Sequence, residues 1–173
     1  MRTTFVMDPP PIVEDWLAQR HAQGQDLYDE VWEGEYHVAA APTNRHAQVQ
    51  TRLVRLLGPR ADSAGLLEVG PCNIGRPTDF RVPDLAFLRR EEHPVWNPTA
   101  AIVVEVVSPG DESRRKFAFY HLRGVEEVLI VDPDARTVEW FVRASDAFVA
   151  ADGSQILALS GAELADALDW PAS

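Results

Sequence analysis

Ala101-Ile102-Val103-Val104-Glu105-Val106-Val107 and Val128-Leu129-Ile130-Val131 are two apolar runs, and the stretch from Glu112 to Arg123 between them has helical character. Runs this short, rich in β-branched residues and without polar alternation, mark strands covered on both faces. Ser108-Pro109-Gly110-Asp111 makes the turn into the helix, and Gly124 supplies its stop. The result is a strand, helix, strand crossover, which fixes the class as α/β. One residue breaks the pattern: a glutamate, Glu105, stands inside the first apolar run.

Elements on either side follow from simpler signals. The first ten residues read as an extended arm ending in prolines, and Val13 to Gln23 has helical spacing stopped by Gly24. Partial alternation from Tyr28 to Val38, with a turn at Glu33-Gly34, predicts a hairpin. Thr43 or Asn44 can cap a helix striped by Ala47, Val49, Leu53, Val54, Leu56 and Leu57, and Gly58-Pro59 is expected to end it. Strands are predicted over Gly65 to Asn73 and Asp84 to Arg89, separated by a loop at Gly75 to Asp79. Thr137 to Arg143 and Ala147 to Ala150 read as an antiparallel pair, and Ala162 to Leu168 as a terminal helix capped by Ser160.

The chain has 173 residues, 46% hydrophobic and 25% charged, as expected of one folded domain over residues 1–173. Its lone Cys72 excludes an internal disulfide, and no apolar run approaches the roughly 20 residues that cross a bilayer. A cytoplasmic location is therefore the expectation. The net charge of -11 speaks against nucleic acid, because release of phosphate counterions needs clustered cations. The arginines are nevertheless uneven, with groups at Arg45 to Arg60, Arg76 to Arg90 and Arg114 to Arg123, and an acidic protein can carry a basic groove.

Three residues invite a chemical reading. Glu105 must face a cation or solvent at an open strand end, or pair with an arginine, since an unpaired buried charge costs several kcal/mol. Asp84, after Val82-Pro83, heads the strand Leu85-Ala86-Phe87-Leu88, where proline holds the backbone, although Pro-Asp is also a common turn dipeptide. Lys116 is the one lysine among sixteen Lys and Arg residues and follows Glu105 by eleven positions. A lysine is a compact, mobile point charge, so a site needing a positioned ammonium cannot take the guanidinium fork instead.

Arg81-Val82-Pro83-Asp84-Leu85-Ala86-Phe87, Val103 to Asp111, Lys116 to Tyr120 and Gly124 to Pro133 together resemble the Uma-type family of restriction endonucleases, within the PD-(D/E)XK nuclease-like superfamily. The likeness runs from about Glu30 to Phe141. It implies a restriction-endonuclease-like mixed central β-sheet flanked by helices, with an N-terminal helix and hairpin. It also implies a metal-dependent endonuclease acting on DNA, with Mg2+ or Mn2+ held by Asp84, Glu105 and the Val106 carbonyl, and with Lys116 supplying the ammonium. The superfamily pattern puts a lysine two positions after the glutamate, where this chain has Val107, so Lys116 on the following helix is the substitute.

Two further positions match family features. Glu30 resembles an acidic helper and is read either as a catalytic carboxylate or as a solvated hairpin residue. His46 is read as a phosphate contact at the edge of the site or as a structural residue near a helix N-terminus. Tyr120 lies four residues after Lys116, where it can orient the lysine stem or fill the core. A homodimer is expected if both strands of a duplex are cut. The rival readings are a nuclease-like domain that binds nucleic acid or a protein partner without cleaving, and an acidic interaction subunit that meets no DNA.

Overall fold

The computed structural model describes residues 3–6, 10–89, 95–108 and 110–171. The chain begins with β1 (Thr3–Val6), α1 (Pro11–Ala22), β2 (Glu30–Trp32), β3 (Glu35–Val38) and α2 (Asn44–Ser63). Five short strands follow: β4 (Leu67–Val69), β5 (Asn73–Arg76), β6 (Asp79–Arg81), β7 (Leu85–Leu88) and β8 (Trp96–Asn97). Then come β9 (Ile102–Val106), a 3-10 turn (Ser113–Lys116), α3 (Phe117–Leu122), β10 (Glu127–Asp132), β11 (Thr137–Arg143) and β12 (Phe148–Ala151). The two-residue strands β13 (Gly153–Ser154) and β14 (Leu159–Ser160) precede α4 (Gly161–Ala167).

The central sheet is mixed, in the order β12-β11-β10-β9-β7-β4. Its parallel pair, β9 with β10, is the expected crossover. Both faces are covered, which explains the continuous apolar runs. Ile102, Val104 and Val106 point into one cluster with Val49, Leu53 and Leu57 of α2, while Val103, Val128 and Ile130 point into another with Phe119 and Tyr120 of α3. By the two-residue period of a strand, Glu105 shares the α3 side with Val103.

A second sheet, not foreseen from sequence, runs β1-β3-β2-β6-β5-β8. Prolines mark where the chain changes sheet: Pro71 between β4 and β5, Pro83 between β6 and β7, Pro98 between β8 and β9. Each lacks the N–H that a ladder needs, so pairing stops there and resumes against new neighbours. The strand expected over Gly65 to Asn73 is therefore two strands, and the loop expected at Gly75 to Asp79 is a tight hairpin of β5 and β6.

Two other expectations change. Residues 3–6 of the N-terminal arm form a strand paired with β3, while residues 1, 2 and 7–9, like Arg90, His93 and Pro109, lie outside the described residues. Helix α2 passes through Gly58-Pro59 to Ser63. The row Val49, Leu53, Leu57, Ala61 is wholly buried at a spacing of four, so packing overrides the local breaker. Its stop is two turns after Gly58, where Gly65 takes φ 68° and Leu66 N–H bonds to the Ala61 carbonyl at 2.9 Å. The hairpin turn falls at Glu33-Gly34 as expected, with both residues at positive φ, and Ser160 caps α4 in a reciprocal pair with Glu163.

Candidate active site

Strand β7 lies antiparallel to β9 with Leu85 opposite Val104, so Asp84 at the head of β7 stands beside Glu105. Leu85 and Phe87 face α2 while Ala86 and Leu88 face α3, so alternation puts Asp84 on Glu105's side of the sheet. The 3-10 turn then delivers Lys116 to the same place. Its Nζ lies 2.9 and 3.1 Å from the two Glu105 carboxylate oxygens and 2.8 Å from Glu30 Oε1. Tyr120, one turn on, donates its hydroxyl to Glu105 Oε1 at 2.6 Å. Glu30 also accepts the Val82 N–H at 2.8 Å and the Trp32 indole N–H at 2.7 Å.

Glu30, Glu105 and Lys116 are 0%, 3% and 4% exposed, so this chain of charges is inside the protein and joins both sheets through one ammonium. Burial is the main reason the Glu105 carboxyl is pushed up to about 7; Lys116 opposes the rise, the Asp84 and Glu30 charges add to it, and the Tyr120 hydrogen bond opposes it. Burial likewise lifts the Tyr120 phenol well above its ordinary value, and the carboxylates Glu105 and Glu30 lift it further.

Asp84 anchors the outer half. Its Oδ2 accepts the Val106 N–H at 2.7 Å, and its Oδ1 is 2.9 Å from His46 Nε2. Gln50, one turn after His46 on α2, donates to the Asp84 carbonyl at 2.6 Å. His46 Nδ1 is 3.0 Å from the Ser108 hydroxyl. Burial works to lower the His46 pKa, but the hydrogen bond and charge of Asp84, with Glu105 and Asp111 behind, leave it raised.

Beneath Glu30 runs a column of alternating cations and rings. The Arg81 guanidinium sits 4.6 Å from the Trp32 ring centre and 4.1 Å from that of Phe119; Arg115 also lies over the Trp32 ring at 5.3 Å and Arg123 over Phe119 at 5.0 Å, while His37 stacks on Trp32 at 4.4 Å. Arg81 also donates to the Val31 carbonyl at 2.7 Å. Planar guanidinium groups suit such stacking, and the contact is strongest where water is excluded, as around the 4% exposed Arg81. The column clamps the second sheet to α3 and so fixes the Trp32 N–H on Glu30.

A cavity of about 360 Å³ opens above these groups. His46, Asp84, Glu105, Val106 and Lys116 line it, and Glu30 and Tyr120 lie behind them. All seven residues singled out in the sequence thus meet in one place. The partner of Glu105 is a lysine rather than an arginine, Glu30 is not a solvated hairpin carboxylate, and Tyr120 fills the core while also bonding Glu105. Val107, where the superfamily pattern has its lysine, shares Glu105's face and packs against the α3 cluster. Trp32, Arg81, Ser108 and Tyr28 had no role at the site assigned from sequence. For Trp32 the signal was present: it follows Glu30 by two positions in a strand, which puts both on one face.

The donors suit a hard divalent cation, since two carboxylates on adjacent strands line one open cavity. Among the described residues no group of three His, Cys, Asp or Glu side chains is gathered closely enough to hold an ion.

Among curated proteins no sequence matches this chain. A crystal structure described as that of a putative nuclease belonging to DUF820 from Anabaena variabilis ATCC 29413 is similar, with a TM-score of 0.64 over 81% of this chain and 90% of that one. At 16% identity the likeness concerns the fold. The sequence model of the Uma2 family, described as "Putative restriction endonuclease", matches residues 13–165. A match over that span takes in the central sheet, the second sheet apart from β1, the crossover and every residue of the buried charge chain, and the protein belongs to the Uma2 family.

Proposed function

We propose that this chain is a divalent-metal-dependent nuclease that hydrolyses phosphodiester bonds in DNA. The observation that carries the reading is the meeting of Asp84, Glu105 and Lys116 at one cavity, from a strand head, a strand and a helix remote in sequence. Asp84 and Glu105, with the Val106 carbonyl on the same wall, would hold Mg2+ or Mn2+. When bound, such an ion supplies positive charge against a phosphate oxygen and makes water more acidic.

The protein's own residues supply the rest. Glu30 would keep the ammonium of Lys116 anchored at the cavity wall. There it stabilises negative charge on the phosphate, the kind of preorganised donor whose removal costs roughly 10² to 10³ in rate. Val106 N–H and His46 hold Asp84 in one orientation. Asp84→Asn, Glu105→Gln and Lys116→Ala should each abolish Mn2+-dependent cleavage of a labelled DNA. Unchanged cleavage by all three variants refutes the assignment.

The second reading, a domain that binds without cutting, draws on Val107 and on the engagement of Lys116 by two carboxylates. Calorimetric titration with Mn2+ separates the two. Metal binding that Asp84→Asn weakens supports the nuclease; DNA binding without any metal binding supports the second reading.

A further inference from the structure

Tyr28 and the segment Ala39-Ala40-Ala41-Pro42 form the wall of the cavity on the side of the second sheet. Tyr28 is half-buried and packs against the cluster of Val31, Phe80 and Val82, which fixes its position. The segment Ala39 to Pro42 carries no side chain larger than a proline ring. An aromatic ring beside a low apolar wall is a site for a flat, unsaturated group.

The rest of the lining decides which group. Four carboxylates, Asp84, Glu105, Asp111 and Glu112, line the cavity, and of the two basic groups there, Lys116 is held by Glu30 and Glu105 and His46 by Asp84. An acidic lining gives little of the counterion release on which proteins rely to hold a nucleic-acid backbone. Phosphate contacts there would be confined to a bound divalent ion and Lys116, and base stacking on an aromatic ring adds affinity that needs no cation. A base inside a duplex has both faces covered, so a ring within a cavity of this size reaches only a base that is unpaired or turned out of its stack.

We propose that Tyr28 and Ala39 to Pro42 form a nucleobase subsite, and that the substrate of the neighbouring carboxylates is unpaired DNA. The inference rests on the nuclease reading for the cutting step, while the subsite can be tested by binding alone. The stacked base sets the adjacent phosphodiester over Asp84 and Glu105. Tyr28 is then a substrate-positioning residue acting through its ring rather than its hydroxyl.

The experiment uses the full chain and a 20-nucleotide DNA carrying 2-aminopurine, whose fluorescence falls when the base stacks on an aromatic ring. The oligonucleotide is presented single-stranded or annealed, at low salt, first without divalent ions and then with Mn2+. Quenching and at least tenfold tighter binding are expected for the single strand. Tyr28→Phe should keep both, and Tyr28→Leu should lose the quench and raise KM for cleavage about tenfold or more with kcat little changed. Equal binding of duplex and single strand by the unaltered protein overturns the subsite, whether or not Tyr28→Leu folds. A Tyr28→Leu variant that melts like the parent and still quenches overturns it too. Cleavage of duplex alone, with no single-strand binding, removes the subsite and leaves the nuclease; quenching without cleavage of any DNA supports the subsite and removes the nuclease.

Discussion

Replacing Lys116 by alanine removes the ammonium between two carboxylates that are 0% and 3% exposed. Breaking a buried ion pair from one side typically costs about 3–5 kcal/mol, because the remaining charge stays in a medium that solvates it poorly. Here the loss must depend on pH. Glu105 is already pushed up to about 7 with Lys116 opposing the rise, so without the lysine its folded-state pKa goes higher still. Between the ordinary glutamate value and the folded value, the native state binds a proton that the unfolded state does not. Stability therefore falls as pH rises through that window, by about 1.4 kcal/mol per pH unit for one group. In the parent protein this decline from Glu105 ends near pH 7; in Lys116→Ala it continues above 7. The deficit of the variant should be small at pH 5 and grow above pH 7 to about 3 kcal/mol by pH 9, a fall in Tm of roughly 6 to 12 °C for a chain of this size. Urea denaturation of both proteins from pH 5 to 9 reads this directly. Adding Glu105→Gln to the variant should recover part of the loss at pH 8, since it removes one uncompensated charge. A deficit of the same size at every pH would show that the loss comes from packing of the lysine stem and refute the electrostatic account.

Lys116→Arg keeps the charge but puts a longer, planar group between two oxygens now bridged by a compact ammonium; it should cost about 1–3 kcal/mol, nearly independent of pH over the same urea series. Trp32→Phe leaves a ring in the guanidinium column while removing the N–H on Glu30, and an unsatisfied buried acceptor should lower stability by about 1–3 kcal/mol in thermal unfolding, with Arg115 and Arg81 still stacked. Pro59→Ala, at an exposed position inside α2, restores a helical N–H and should raise stability by about 2 kcal/mol, the helix penalty of proline less the entropy it removes from the unfolded chain. Ser160→Ala breaks the reciprocal cap of α4 and should lower stability by about 1 kcal/mol.

The crossover could be read from sequence because a strand buried on both faces writes its burial into every residue, and β9 and β10 do so. The second sheet left no such trace. Its strands are two to four residues long, too short for alternation to show, and the prolines between them read as loops rather than as points where the chain changes sheet. The end of α2 was misplaced for the opposite reason: Gly58-Pro59 is a strong local signal, but burial of Ala61 against the central sheet is stronger and invisible locally. In the site, Glu105 and Lys116 could be picked out because each is chemically odd for its surroundings, and Asp84 through its pairing with Glu105 and the family resemblance. Their partners could not be derived in the same way, since Glu30 lies 75 residues before Glu105 and nothing in a period or a turn encodes that two sheets will close over one ammonium.

That closure explains why the single lysine stands where it does. The oxygens to be bridged come from different sheets: Glu105 from the central one, Glu30 from the second. A tetrahedral ammonium on a flexible stem can direct N–H groups to both at 2.8 to 3.1 Å, whereas a guanidinium directs its five donors within one plane. The guanidinium next to this place, Arg81, is used for what a plane does well, stacking between Trp32 and Phe119. A lysine at position 107 would start from the end of β9, on Glu105's own strand, and leave the Tyr120 hydroxyl to tie α3 to Glu105 alone. Lys116 comes from the helix side instead, so one side chain draws α3, β9 and β2 to a common point while Val107 contributes to the apolar cluster beneath. The departure from the superfamily pattern thus joins the charge centre to the packing of both sheets.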